Sequence, residues 1–327
     1  MSTQKVTLKD IAAETGLSVN SVSLALRGVR VSRQTQLHVQ QVADRLGYVG
    51  NAQATSIRTG STRSIAVIVG DVSNPHTAQV LKECAHTLGA KGYSVIIYNT
   101  EEDETLEMQA IRSALRQNAD GILISPVRRD SKNIDLLAVS GVPAVVFGSR
   151  CKNEHIASVC MDDEQGAFLA TEHLIRQGYR RILLVNGPLS IQGAQERLRG
   201  YLRAAEQYGL QTSEDDLILA DLKDETSWQE PLRRRLMHSE APTALLAYSD
   251  MLALLIYSYC EDNALKLGAI AGFDNALRMM PSALRFPSAA EKDETIASAA
   301  PQLLLERMTD KRSAAQKRTL PVCLYNI

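Results

Sequence analysis

The spacing of apolar positions changes period along this chain. In the first fifty residues apolar side chains recur three and four apart: Leu8, Ile11 and Ala12, then Val22, Ala25 and Leu26. That period predicts short amphipathic helices. Thr7 and Asp10 mark the start of the first, and Gly16 breaks it. Ser18 caps a second helix over 19–26, which Gly28 ends. Ser32 caps a third that runs to Leu46 and stops at Gly47. Two short helices joined by a tight glycine-containing turn, with a third in support, predict a helix-turn-helix.

From Ser64 the pattern becomes short apolar runs that alternate with helical periods. Strands are predicted over 65–69, 94–98, 121–124, 144–147, 182–186, 244–248 and 269–273. Helices are predicted over 75–90, 106–118, 163–177, 195–208 and 251–263. Such alternation implies parallel sheets with crossover helices. Two sets of units, divided near Asp162, predict two doubly wound α/β subdomains facing a cleft, with ligand groups at strand C-termini. The expected class is α/β with an all-α head.

Charge adds an asymmetry. Residues 1–60 carry seven Lys or Arg against three Asp or Glu, so the head is +4 while the whole chain is −1. A basic head on an acidic body suggests a polyanion partner, although an uneven solvated surface gives the same count. No apolar run is long enough to span a bilayer, so no membrane partner is expected. The start, MSTQKVTLKD, has no apolar leader, and the five cysteines are scattered. A cytoplasmic protein is expected, nucleoid-associated when bound to DNA. No cofactor and no metal site is expected: the six histidines lack ligand spacing. There is no GxGxxG, P-loop, GxSxG or HExxH, which argues against an enzyme.

On the second predicted helix, Val22, Ala25 and Leu26 face inward, leaving Asn20, Ser23, Leu24 and Arg27 outward. An outward face of this kind enters the major groove in a helix-turn-helix. Asn20 can bond bidentately to adenine, while Val19 and Leu24 can touch a thymine methyl. Ser23 and Arg27 are assigned to phosphates. The DNA-facing set is completed by Thr7, Ser18, Ser21, Ser32 and Thr35. A generic three-helix scaffold is the alternative.

The run VTLKDIAAETGLSVNSVSLALRG, followed by VSRQTQLHVQQVADRLGY, resembles the N-terminal signature of the lactose/galactose-repressor family. The similarity continues through NAQATSIRTGSTRSIAVIVGDVSNP, and further patches are QNADGILISPV, VCMDDEQGAFLATEHLIRQGYRRILLVNGP, ERLRGY, YSDMLA and GFDN. The resemblance implies a repressor-like regulator that binds operator DNA as a homodimer, with a body like the periplasmic sugar-binding proteins. Its operator affinity would be set by a sugar-like small molecule. It implies a hinge helix in which Asn51, Ala54 and an apolar wedge, Ile57, contact the minor groove; a plain linker over 51–62 is the alternative. Two departures are visible: Gly50 replaces the family's usual proline, and Leu24 replaces a common arginine. An operator unlike the family's commonest follows.

The same resemblance assigns effector contacts to Ser73, His76, Ser125, Arg197, Trp228, Ser249 and Asp274. Arginine, carboxylate and ring are equipment for a polar, sugar-like ligand. The alternatives are Arg197 as a surface residue, Asp274 as a helix cap, Trp228 as packing and His76 as structural. Glu291 falls near an effector position but stays outside the set. Asp162 and Asp163 are read as helix-start capping. The expected domains are 1–49 (head), 50–62 (hinge), 63–161 with about 288–318 (first subdomain), and 162–287 with about 319–327 (second). The last helix is expected to begin at Glu291. A solute-binding protein and a regulator that has lost its effector response are the remaining rivals.

Overall fold

A computed structural model describes residues 6–49, 59–128, 130–221, 223–237, 243–279, 284–310 and 314–326. The chain separates into two compact units, Met1–Thr62 and Arg63–Ile327. The expected hinge contacts Asn51, Ala54 and Ile57 lie outside the described residues.

Among its described residues the head forms α1 (Leu8–Thr15), α2 (Val19–Leu26) and α3 (Arg33–Leu46). Ser18 accepts the Ser21 amide at 3.1 Å and Ser32 accepts the Thr35 amide at 3.1 Å, so both hydroxyls satisfy free helix amides. Gly16 and Gly47 end α1 and α3 at φ 68° and 70°. That left-handed conformation suits glycine, which lacks the Cβ that would clash. Ile11, Val22, Ala25, Val39, Val42 and Ala43 form the small core, as the helical period requires.

The body has two sheets. The first holds β1 (Ser64–Val69), β2 (Ser94–Asn99), β3 (Gly121–Ile124), β4 (Ala144–Phe147), β5 (Ala157–Met161) and β11 (Lys317–Leu320). Its order is β11-β5-β4-β3-β1-β2, and every pairing is parallel. The second holds β6 (Arg181–Asn186), β7 (Leu217–Leu219), β8 (Thr243–Ala247), β9 (Ala269–Phe273), β10 (Ser288–Glu291) and β12 (Val322–Tyr325), in the order β12-β10-β9-β8-β6-β7. Only its edge pair β10–β12 is antiparallel.

Among the described residues, the helices that cover the sheets are α4 (Pro75–Gly89), α5 (Glu104–Arg116), α6 (Asn133–Ser140), α7 (Asp163–Arg176), α8 (Gln192–Gln207), α9 (Thr226–Met237), α10 (Asp250–Asp262) and α11 (Ile296–Thr309). The continuous apolar run of β1 follows from burial on both faces. Ile65, Val67 and Val69 enter one core, while Ala66 and Ile68 enter another.

The chain crosses between sheets three times, after β5, after β10 and after β11. Three details differ from the sequence expectation. Glu291 closes β10, and α11 begins at Ile296. The segment 288–291 therefore pairs in the second sheet rather than the first. Its sequence, SAAE, is too short and too small in side chain to show a strand period. At the end of the chain, Thr319 and Leu320 pair with β5 in the first sheet, and the passage to the second follows Leu320.

Helices α7 and α8 cross in close contact at Gly200. A Cβ there would lie 2.0 Å from the Glu164 carbonyl oxygen and 2.8 Å from the Ala167 Cβ. This approach sets the geometry of the site, because Asp163 and Arg197 face one another across it.

Candidate functional site

In the head, α2 presents Val19, Asn20 and Arg27 to solvent, with Ser21, Ser23 and Leu24 half-buried. Val22 and Ala25 are fully buried beneath them. Helical spacing thus separates a packed face from a polar, basic face. The Arg27 Nε donates to the Ser23 carbonyl at 2.8 Å, fixing the guanidinium root. Thr7 and Asp10 are joined at both the amide (2.7 Å) and the hydroxyl (2.8 Å), with Asp10 accepting both. Those two bonds, amide first, hold the Asp10 carboxyl below its usual range.

In the body, the structure brings some of the expected effector residues together and separates others. His76 of α4 and Asp274, which follows β9, line one cavity of about 250 Å³. Gln79, Asn275, Glu291 and Tyr325 line it too. Arg197 reaches Asp274 at 3.8 Å. Its Nε donates to Asp163 at 2.8 Å, and one terminal nitrogen donates to the Tyr248 carbonyl. The guanidinium also lies 4.0 Å from the Phe273 ring centroid and 4.4 Å from that of Tyr248. Burial works against its charge, but Asp163, Tyr248 and Asp274 outweigh burial and hold its pKa above the ordinary value. Burial raises the Asp163 carboxyl, opposed by Arg197.

Asp162 and Asp163 were read together as capping residues, and they divide. Asp162 caps α7, accepting the Gln165 amide at 3.0 Å. Asp163 is buried and spends its charge on Arg197. One-residue spacing hides the division, since adjacent helical residues point in different directions.

Two assignments are corrected. Trp228 is 1% exposed and sealed in the second subdomain's core, its ring edge-on to Tyr259 at 5.5 Å. It is a packing residue, as its helical spacing with Leu232 and Leu236 allows. Ser249 is buried and caps α10, accepting the Leu252 amide at 3.2 Å. Ser73 donates to Asp71 at 2.8 Å in the loop after β1. Ser125 follows β3, beside Gly148 at the end of β4.

Sequence reasoning missed the acid supporting this site. Asp250 is 1% exposed; its Oδ2 accepts the Ala276 amide at 2.8 Å, and its Oδ1 is buried without a hydrogen-bond partner. Burial pushes its pKa up to about 7, and neighbouring Asp274 adds to the rise. Unfolded, the carboxyl titrates near its ordinary value of about 4. Between those values the folded chain binds the extra proton, so stability falls as pH rises from about 4 to about 7. The Asp250→Asn variant should lose this contribution. In urea titrations between pH 5 and 7, its stability should fall less steeply than wild type, by up to about 1.4 kcal/mol per pH unit. Parallel curves would contradict the assignment.

Among the described residues, no cluster of His, Cys, Asp and Glu could hold a metal, and no helix is long and apolar enough to cross a membrane. What the cavity offers is hydrogen-bond chemistry: the Asp274 and Glu291 carboxylates, the Gln79 and Asn275 amides, the His76 imidazole and Arg278 in the lining, with Arg197 beyond Asp274.

Comparison with known proteins agrees with both units. Residues 62–277 match the family described as periplasmic binding proteins and sugar binding domain of the LacI family. The chain is 31% identical to the maltose regulon regulatory protein MalI of Escherichia coli strain K12, over 77% of this chain and 74% of that protein. It is 27% identical to the HTH-type transcriptional repressor PurR of Aliivibrio salmonicida, over 93% of each. The structure of a lac repressor dimer bound to operator and the anti-inducer ONPF shares the fold. Its TM-score is 0.84, at 22% identity over 99% of this chain and 98% of that one. The chain belongs to the LacI family of transcription regulators.

Proposed function

We propose that the chain is a repressor-type regulator. As a homodimer it binds operator DNA through the exposed face of α2, and a sugar-like effector in its body changes that affinity. It acts in the cytoplasm, at the nucleoid when DNA-bound. The observation that carries the reading is the joint presence of two units. One is a basic three-helix head with Asn20 and Arg27 exposed on α2. The other is an α/β body in which His76 and Asp274 line one cavity, with Arg197 at 3.8 Å from Asp274. A solute-binding protein has no use for the first, and a constitutive repressor has none for the second.

Within the head, Asn20 reads a base edge, and Arg27 binds a phosphate. Phosphate binding releases condensed counterions, so affinity falls steeply with salt. Selection of DNA from a random pool, followed by fluorescence anisotropy across a salt series, tests the reading. Arg27→Ala should weaken binding to all sequences alike and reduce the salt slope by about one. Asn20→Ala should relax preference at one base pair, with a loss of roughly 1–3 kcal/mol. A head that selects no sequence from the pool would overturn the reading. For the effector, thermal shift against a panel of neutral sugars should find a ligand whose stabilisation is lost in Asp274→Ala. Coupling to operator affinity is expected at roughly 5- to 150-fold.

A further inference from the structure

Asp274 and Asn275 both line the cavity, and both have left-handed backbones, φ 85° and 48°. Asp and Asn tolerate that region better than other side-chain-bearing residues, but it still carries strain and persists only where neighbours enforce it. Three bonds do so here. The Asp274 amide donates to the Ala289 carbonyl at 3.0 Å. The Asn275 amide donates to the buried Ser288 hydroxyl at 2.9 Å. The Ala276 amide donates to Asp250 at 2.8 Å.

Of the three, the Asp250 contact is the most unusual. A carboxyl with one oxygen unpartnered in the interior is costly. Gly272 is packed so tightly against it that a Cβ there would lie 2.4 Å from Oδ1. The first turn of α10 is thereby tied to the turn that aims Asp274 at Arg197.

We propose that Asp250 is a positioning residue for the effector site: through the Ala276 amide it holds the Asp274–Asn275 turn in its left-handed form, with Asp274 facing both Arg197 and the cavity. The inference rests on the reading of that cavity as the effector site. Asp250 touches no ligand itself. The charged groups nearest this arrangement are Asp274 on the turn, Arg197 on α8 and Asp163 on α7. The arginine balances carboxylates in front of the turn, and Asp250 supports it from behind.

Hydrogen exchange on the full chain, without ligand, tests this directly. In Asp250→Ala the peptides covering 272–278 should exchange about tenfold faster than in wild type, while those covering β6 and β8 keep their protection. Asp250→Asn should restore protection, because its amide oxygen still accepts the Ala276 N–H. Should the alanine variant fail to fold, Asp250→Ser, which stays polar but is too short to reach Ala276, is compared with Asn in its place. Unchanged protection of 272–278, a loss spread evenly over the second sheet, or an Asn variant as exposed as Ala would each overturn the proposal. If instead the sugar panel ignores Asp274→Ala while the exchange results hold, it is the effector reading that fails.

Discussion

The Gly200→Ala variant should lose about 3 kcal/mol or more of folding stability, although alanine is by itself the better helix former by about 1 kcal/mol. The added methyl would meet the Glu164 carbonyl oxygen at 2.0 Å and the Ala167 Cβ at 2.8 Å. The first of these is helix backbone and cannot rotate away. Helices α7 and α8 must therefore separate, and core neighbours on the two helices such as Ala167, Ala170, Tyr201 and Ala205 lose packing. Separation also draws Arg197 from Asp163, so the site is damaged along with the packing. Chemical denaturation of the full chain gives the measurement. A Gly200→Ala protein as stable as wild type would mean that the helices do not cross so closely.

Arg197→Ala should be nearly as severe, for an electrostatic reason. It leaves Asp163 buried, with its side chain 7% exposed, and without its counter-ion. Breaking a buried pair from one side costs about 3–5 kcal/mol. The cost has a ceiling, because the abandoned carboxyl can take up a proton; at pH 7 that takes about 4 kcal/mol from an ordinary carboxyl. The deficit should therefore shrink as the pH falls toward 5, where protonation costs less. An Asp163→Leu/Arg197→Met double variant should recover much of the loss, since it removes both charges together.

Below its melting temperature Arg197→Ala should still bind operator DNA through the separate head, yet show no response to sugar. Measured where the protein is folded, a retained response would remove Arg197 from the effector site. The structure thus adds a condition to the sequence reading: Arg197 cannot be tested for function without testing it for stability.

The neighbouring Arg150 illustrates another kind of connection. It follows β4 in the first subdomain, and its Nε donates to Glu196 of α8 at 3.0 Å. Its backbone amide donates to the buried Gln192 at 3.1 Å. Burial opposes its charge, but Glu196 foremost keeps the pKa above the ordinary value. The contact that Arg150 makes between the two sheets is therefore polar and satisfied. Nothing in the sequence around Arg150 announces this bond, since the two residues are 46 positions apart.

How much was legible in the sequence depends on the range of the interaction. The head was readable almost to the residue. Its caps, its glycine stops and its 3.6-residue period are local features, and each is set by neighbours within four positions. The strands β1, β3, β4, β6, β8 and β9 were readable because burial on both faces leaves a continuous apolar run. The edge strands β7, β11 and β12 were not, because an edge is half-exposed and only its partner defines it; β5 and β10, which are buried inside the sheets, were missed as well.

At the site the division is sharper. Residue type and family resemblance grouped Arg197, Asp274 and His76 as effector contacts; His76 and Asp274 line one cavity, and Arg197 stands 3.8 Å from Asp274. They also offered Trp228, whose large apolar ring serves a core as readily as a sugar; only packing around Tyr259 and Leu232 decided for the core. Asp163 reads from sequence as a helix-start cap, and Asp250 carries no assignment there. Their roles arise from the helix crossing at Gly200 and from a turn 26 residues downstream. By itself, then, the sequence determined the head, most of the body's elements and the chemical types at the site through local spacing and composition, and the family through its resemblance. Only the tertiary structure decided which charges are buried and what they hold in place, because desolvation and ion pairing depend on neighbours that the chain brings together only when it folds.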